Sequence, residues 1–270
     1  MAVKKREVRP RSKRRCVYCT RETAAEMLTR DHVIAESWYP TSTPPNMAKW
    51  KVDCCRTCNG AYGRVEQELL ILLALCLNPH SPASSSIVQK ALDSMNPDLA
   101  TSDREKGARL ALKRRVYSRI EEADELPDKG VLPSFLENWK LGSRMRVYVS
   151  KADLHAVVRK WVRGLHSLTI KRILPKRAKI DVIHIQDDEA AAAFTEVEPF
   201  AVMHLKPPCV SVMQATASEE TEAETIYRFV LWEQYTVYAT VSEKLRRKRN
   251  KQTARATGSL HQNRSRSARL

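Results

Sequence analysis

Apolar residues change their period several times along this chain, and each change marks an element. Nine consecutive positions from Leu69 to Leu77 are apolar or cysteine. A helix through them is apolar over nearly its whole circumference, so it must be buried against another part of the chain. The pattern predicts that this helix begins near Asn59 and stops before Pro79. Two short strands are expected ahead of it, one at Asp31-His32 and one near Trp50-Lys51-Val52. Residues 79–86, rich in Pro and Ser, read as a linker. Two helical segments follow, one near 85–95 and a charged one from Ser102 to about Ala123, before Pro127, Gly130 and Pro133 break the pattern.

From Met145 the spacing changes. Met145, Val147 and Val149 alternate with Arg146 and Tyr148, as in a strand. Ser150, with Asp153 three residues on, then caps a helix whose Leu154, Val157, Val158, Trp161, Val162 and Leu165 share one face. Extended segments are expected near 180–186, 199–204, 209–215 and 225–241, the last dense in β-branched and aromatic residues. A sheet with one packed helix is the economical reading of 144–243. The fold class is therefore α+β. It comprises a basic arm (1–15), an N-terminal strand–strand–helix module (16–78), a helical region with linkers (79–143), a mixed α+β domain (144–243) and a basic tail (244–270).

Charge sharpens this division. The formal net charge is +16, but residues 1–15 carry +7 and residues 244–270 carry +10, which leaves about −1 for 16–243. Basic arms without apolar periodicity are expected to be disordered and to bind polyanions by releasing counterions. Nucleic acid, most simply DNA, is the expected partner, and residues 79–243 are left as a surface for a protein partner. The basic N-terminus lacks the apolar stretch of a secretory signal, and nine apolar residues fall short of the ~20 that span a bilayer. A cytoplasmic protein without membrane contact is expected.

Seven cysteines at this length do not make a disulfide framework. Four of them form two pairs of two-residue spacing, Cys16-Val17-Tyr18-Cys19 and Cys55-Arg56-Thr57-Cys58. Two thiolates from one tight turn reach the same tetrahedral ion, so two such turns close a four-thiolate zinc site. The alternative, buried free thiols, suits isolated cysteines better than paired ones. Cys54 is an adjacent spare, and Cys76 and Cys209 stand in apolar surroundings and read as core residues. Asp31, His32 and Asn59 then lie on a module pinned by the metal at both ends.

With these residues in view, the stretch from Cys16 to about Leu75 resembles an HNH endonuclease module of the ββα-metal type. The matching residues are Cys16 and Cys19, Asp31-His32 followed by Val33-Ile34, Asn46, and Cys55-Arg56-Thr57-Cys58-Asn59. The resemblance implies that His32 is the general base and that Asp31 and Asn59 bind a divalent cation. It also implies that Asn46 braces the loop and that Cys16, Cys19, Cys55 and Cys58 hold a structural zinc. Two positions depart from the family's pattern: Ala35 stands where a proline is common, and Tyr62 where a lysine often precedes the glycine. Neither removes a ligand or the base.

The residue types suit these roles. A neutral imidazole accepts a proton at physiological pH. A carboxylate and an amide oxygen form a hard, sparse ligand set that fits Mg²⁺ or Mn²⁺ with several waters retained. Asn59 also suits a helix cap, and Asn46, after Pro44-Pro45, also suits a turn. His80, His155, His166, His184, His204 and His261 lack a comparable setting. The expectation is a metal-dependent endonuclease acting on phosphodiester bonds, with a catalytically silent, zinc-stapled nucleic-acid-binding module as the alternative.

Overall fold

A computed structural model describes residues 13–244, apart from 48, 79, 123–144, 184–187, 206–209 and 219–221. The arm before residue 13, the tail after 244, Cys209, His184, His261 and the Pro127–Pro133 break lie outside the described residues. The expected mixture of helices and sheets is present.

The N-terminal part opens with an antiparallel ribbon of β1 (Lys13–Arg15) and β2 (Glu22–Ala24). Its first strand thus takes up the last three residues of the basic arm. Arg15 lies opposite Glu22 and its Nη2 meets Glu22 Oε1 at 2.8 Å. Next come β3 (Leu28–His32) and β4 (Lys51–Cys55), paired antiparallel with Asp31 opposite Val52 and His32 opposite Lys51. Helix α1 (Arg56–Ala74) follows directly and starts three residues before the expected Asn59. Its residues 69–74 are all buried, as an all-round apolar surface requires.

Two helices, α2 (Ser85–Met95) and α3 (Asp103–Tyr117), come next. The charged helix ends at Tyr117, not near Ala123. A short strand, β5 (Ile120–Glu122), follows it and pairs with β6 (Met145–Val147). The partner lies beyond the Pro127–Pro133 break, so no local spacing announces this pair. The long helix α4 (Lys151–Thr169) is capped as expected, with the Ser150 hydroxyl accepting from the Asp153 N–H.

A five-stranded antiparallel sheet completes the fold. Its strands are β7 (Lys179–Ile183), β8 (Val202–Leu205), β9 (Val210–Ser218), β10 (Glu222–Leu231) and β11 (Tyr235–Lys244), in the order β7-β11-β10-β9-β8. Two expectations need correction. The segment 225–241 is not one strand but a hairpin, and a second helix, α5 (Asp188–Val197), accompanies the sheet and packs Phe194 on Tyr238.

Helix α4 lies between α1 and the sheet, and one core runs from Cys16 through Trp161 to Val241. Three tryptophans stitch it together. Trp38, just beyond β3, meets Trp161 of α4 edge-on at 4.9 Å and stacks on Trp232 at 5.4 Å. The Trp232 Nε1–H donates to the Trp38 carbonyl at 2.9 Å. Trp232, Glu233 and Gln234 form the β10–β11 turn, the first two with φ of 50° and 62°, a conformation that favours Gly or Asn. The strain, of order 1 kcal/mol per residue, is tolerated because the Trp232 indole is fully buried in that stack.

Candidate functional site

The four paired cysteines converge. Cys16 and Cys19 sit in the turn after β1, Cys55 ends β4, and Cys58 lies in the first turn of α1. Their sulfurs all lie within 4.8 Å of one another, and Cys19 Sγ is 3.9 Å from Cys55 Sγ. Tetrahedral zinc with Zn–S near 2.3 Å places its sulfurs about 3.8 Å apart, so the cluster is compatible with a structural zinc site. No other group of three or more His, Cys, Asp or Glu side chains that could hold a metal occurs among the described residues. Cys54 points elsewhere, with its Sγ 3.5 Å from Thr29 Oγ1. Cys76 lies against the core, half-buried.

Side-chain alternation along β3 divides the candidate chemistry between two faces. Thr29 and Asp31 share the face that meets α1 and α4. The Thr29 hydroxyl donates to the Cys54 carbonyl at 3.1 Å and therefore accepts, at 3.1 Å, from the Asn59 Nδ2–H. That hydrogen bond assigns the amide nitrogen of Asn59 to Thr29 and leaves the amide oxygen as the atom that could hold a metal. Asp31 lies two residues further along the same face, ~7 Å on. Its Oδ2 accepts from the Tyr18 hydroxyl at 2.8 Å and pairs with Lys160 Nζ at 3.1 Å. Burial and the Asp31 charge push the Tyr18 hydroxyl well above the usual phenol range, so it stays protonated and donates. Tyr62 packs edge-on against Tyr18 at 5.1 Å.

His32 belongs to the other face, shared with Arg30 and Lys51. Its Nε2 is out of contact with solvent, makes no hydrogen bond among the described residues, and lies 3.5 Å from Glu36 Oε1. Burial pushes the imidazole below its ordinary pKa, against the opposing pull of Glu36, so it is neutral at physiological pH. Glu36 is itself tied to Lys49 at 3.3 Å. Asn46 is exposed in a turn closed by the Met47 N–H on the Pro44 carbonyl, 3.0 Å.

Two residues complete the neighbourhood. Glu66 of α1 is buried and accepts from Lys160 at 2.7 Å and from the Trp161 Nε1–H at 3.2 Å. Burial pushes its carboxyl up to about 7 despite the Lys160 charge. Lys160 escapes a sequence reading because it flanks the apolar stripe of α4, where a lysine ordinarily snorkels to solvent. Its neighbour Trp161 was the available signal, since it sits mid-stripe on a helix buried nearly all round. His166, also on α4, contacts the Tyr227 hydroxyl at 3.1 Å and Glu243 at 3.3 Å, away from this site. His204 bonds Gln214 at 3.0 Å.

The arrangement thus combines a four-sulfur cluster at the foot of a hairpin, a carboxylate on its inner face, an amide on the adjoining helix α1, and on its outer face an imidazole beside Glu36. No helix among the described residues is long and apolar enough to cross a membrane. Comparison with family models, with curated proteins and with solved structures finds no match for this chain.

Proposed function

We propose that the chain is a metal-dependent HNH-type endonuclease that hydrolyses phosphodiester bonds of DNA. The observation that carries this reading is the sulfur cluster at the junction of β4 and α1, which pins a hairpin bearing Asp31-His32 against a helix bearing Asn59. Asp31 Oδ1 and the Asn59 amide oxygen are the atoms left to hold Mg²⁺ or Mn²⁺, because Asp31 Oδ2 and Asn59 Nδ2 are engaged elsewhere. Such an ion would supply positive charge against the developing charge on phosphorus oxygens. His32 Nε2 takes the proton of the attacking water. The water oxygen forms the new bond to phosphorus, the P–O3′ bond breaks, and its electron pair leaves on the 3′ oxygen. Glu36 must swing off Nε2 for water to reach it. A zinc ion held by Cys16, Cys19, Cys55 and Cys58 would have no open position, so its role would be in folding.

Two observations favour the rival, a silent zinc-stapled nucleic-acid-binding module. Asp31 is already paired with a lysine, and His32 and Asp31 leave β3 on opposite faces. The discriminating experiment compares wild type with His32→Ala and Asp31→Asn on plasmid and single-stranded DNA, in Mg²⁺ or EDTA. Zinc content is measured on each protein. Cutting by wild type alone, with zinc retained throughout, is expected; equal cutting by His32→Ala removes the mechanism, and no cutting by any protein selects the rival.

A further inference from the structure

One buried charge beside this site has no part in the proposed hydrolysis. Lys160 is fully buried, and its Nζ reaches Glu66 Oε2 at 2.7 Å, the His32 carbonyl at 2.9 Å and Asp31 Oδ2 at 3.1 Å. An ammonium has three donors, so these oxygens complete its set. The Tyr18 ring lies 5.8 Å from Nζ and closes another side. An apolar side chain of similar length would fill the space without the cost of desolvating a charge. What Lys160 adds is a fixed positive charge against the carboxylate that the nuclease reading gives to a divalent ion, and a tether on the backbone of the base.

Asp31 and the neutral Asn59 together offer an incoming ion one negative charge, and Lys160 already faces it. We propose that Lys160 is the built-in counter-charge of the candidate cation site, holding Asp31 and the His32 backbone in place while keeping divalent-ion affinity low in the free protein. The ion then binds together with the phosphodiester, whose oxygens supply the missing negative charge. Mg²⁺ commonly binds in this way, through one or two carboxylates plus substrate phosphates. The inference rests on the nuclease reading for the identity of the site, while the position of the ammonium is independent of it.

The test measures Mn²⁺ binding to the full, zinc-loaded chain without nucleic acid, from the paramagnetic resonance signal of free Mn²⁺. Glu66→Gln is compared with the double variant Glu66→Gln/Lys160→Met. Position 66 is neutral in both, so the pair differs in the ammonium alone. The double variant should bind Mn²⁺ about ten-fold or more tightly, and adding Asp31→Asn should abolish the gain. Equal or weaker binding by the double variant overturns the proposal. Zinc content and urea unfolding establish that the variants are folded. If the methionine variant does not fold, Glu66→Gln/Lys160→Gln keeps a donor for the His32 carbonyl without charge and carries the same expectation. A wild type that never cuts DNA, beside tighter Mn²⁺ binding in the variant, removes the nuclease and keeps the counter-charge. A wild type that cuts, with Mn²⁺ binding unchanged, does the reverse.

Discussion

Gly164 offers a direct measure of how tightly α4 is fitted to the candidate site. A Cβ added there would lie 2.7 and 2.8 Å from the two methyls of Val33 and 3.2 Å from its Cβ. Carbon atoms pack at about 3.5–4.0 Å, so each methyl must retreat by about 0.8 Å. Val33 is fully buried and immediately follows His32. Because it is β-branched, rotating χ1 merely exchanges one methyl for another. Overpacking of this kind costs about 1–3 kcal/mol. Alanine in place of glycine inside a helix gains about 1 kcal/mol, so the two effects must be separated. Gly107 supplies the control: it lies in α3, is exposed, and an added Cβ there meets nothing within 4 Å. Gly107→Ala should therefore stabilise by about 1 kcal/mol, and Gly164→Ala should fall about 1–3 kcal/mol below it. Urea unfolding followed by tryptophan fluorescence reads both. In a Val33→Ala background the deficit of Gly164→Ala should largely vanish. Equal stabilisation by the two alanines in wild-type background would refute the close approach of α4 to the residue after His32.

Three further outcomes are expected. Trp232→Phe removes the N–H that serves the Trp38 carbonyl and leaves a buried acceptor unpaired, at a cost of about 1–3 kcal/mol; a urea midpoint unchanged from wild type would contradict this. Cys58→Ser should release about one zinc per chain and loosen the N-terminal half, whereas Cys54→Ser, outside the sulfur cluster, should keep it; elemental analysis decides, and equal zinc in both variants would break the assignment. Burial holds the His166 imidazole below its ordinary pKa, against the pull of Glu243. The unfolded chain therefore binds the extra proton first as pH falls through about 6.5, and stability declines there. The stability difference between wild type and His166→Asn should shrink as pH falls from 7 towards the folded-state pKa, and a pH-independent difference would refute it.

The features legible in the sequence are those set by nearest neighbours. Two-residue spacing brings Cys16 to Cys19 and Cys55 to Cys58 within one turn each, whatever the rest of the chain does. Ser150 and Asp153 cap α4 by themselves, and the unbroken apolar run of α1 can only be buried. The strand–strand–helix order around Asp31-His32 is what the resemblance implied, since no local alternation marks the two short strands. The β10–β11 turn was hidden because Trp232 and Glu233 adopt left-handed backbone without a glycine or asparagine to mark it. The burial of Trp232 against Trp38, 194 residues away in sequence, offsets that strain.

Tertiary structure alone decided the electrostatics of the site. Adjacent residues Asp31 and His32 leave a strand on opposite faces, and which face each meets depends on what packs there. The charged partner of Asp31 is Lys160, from a helix far along the chain. A lysine at the flank of an apolar stripe reads as a solvent-seeking side chain until a second layer covers that flank. Here α1 and β3 cover it, and they carry the oxygens that an ammonium removed from water must have.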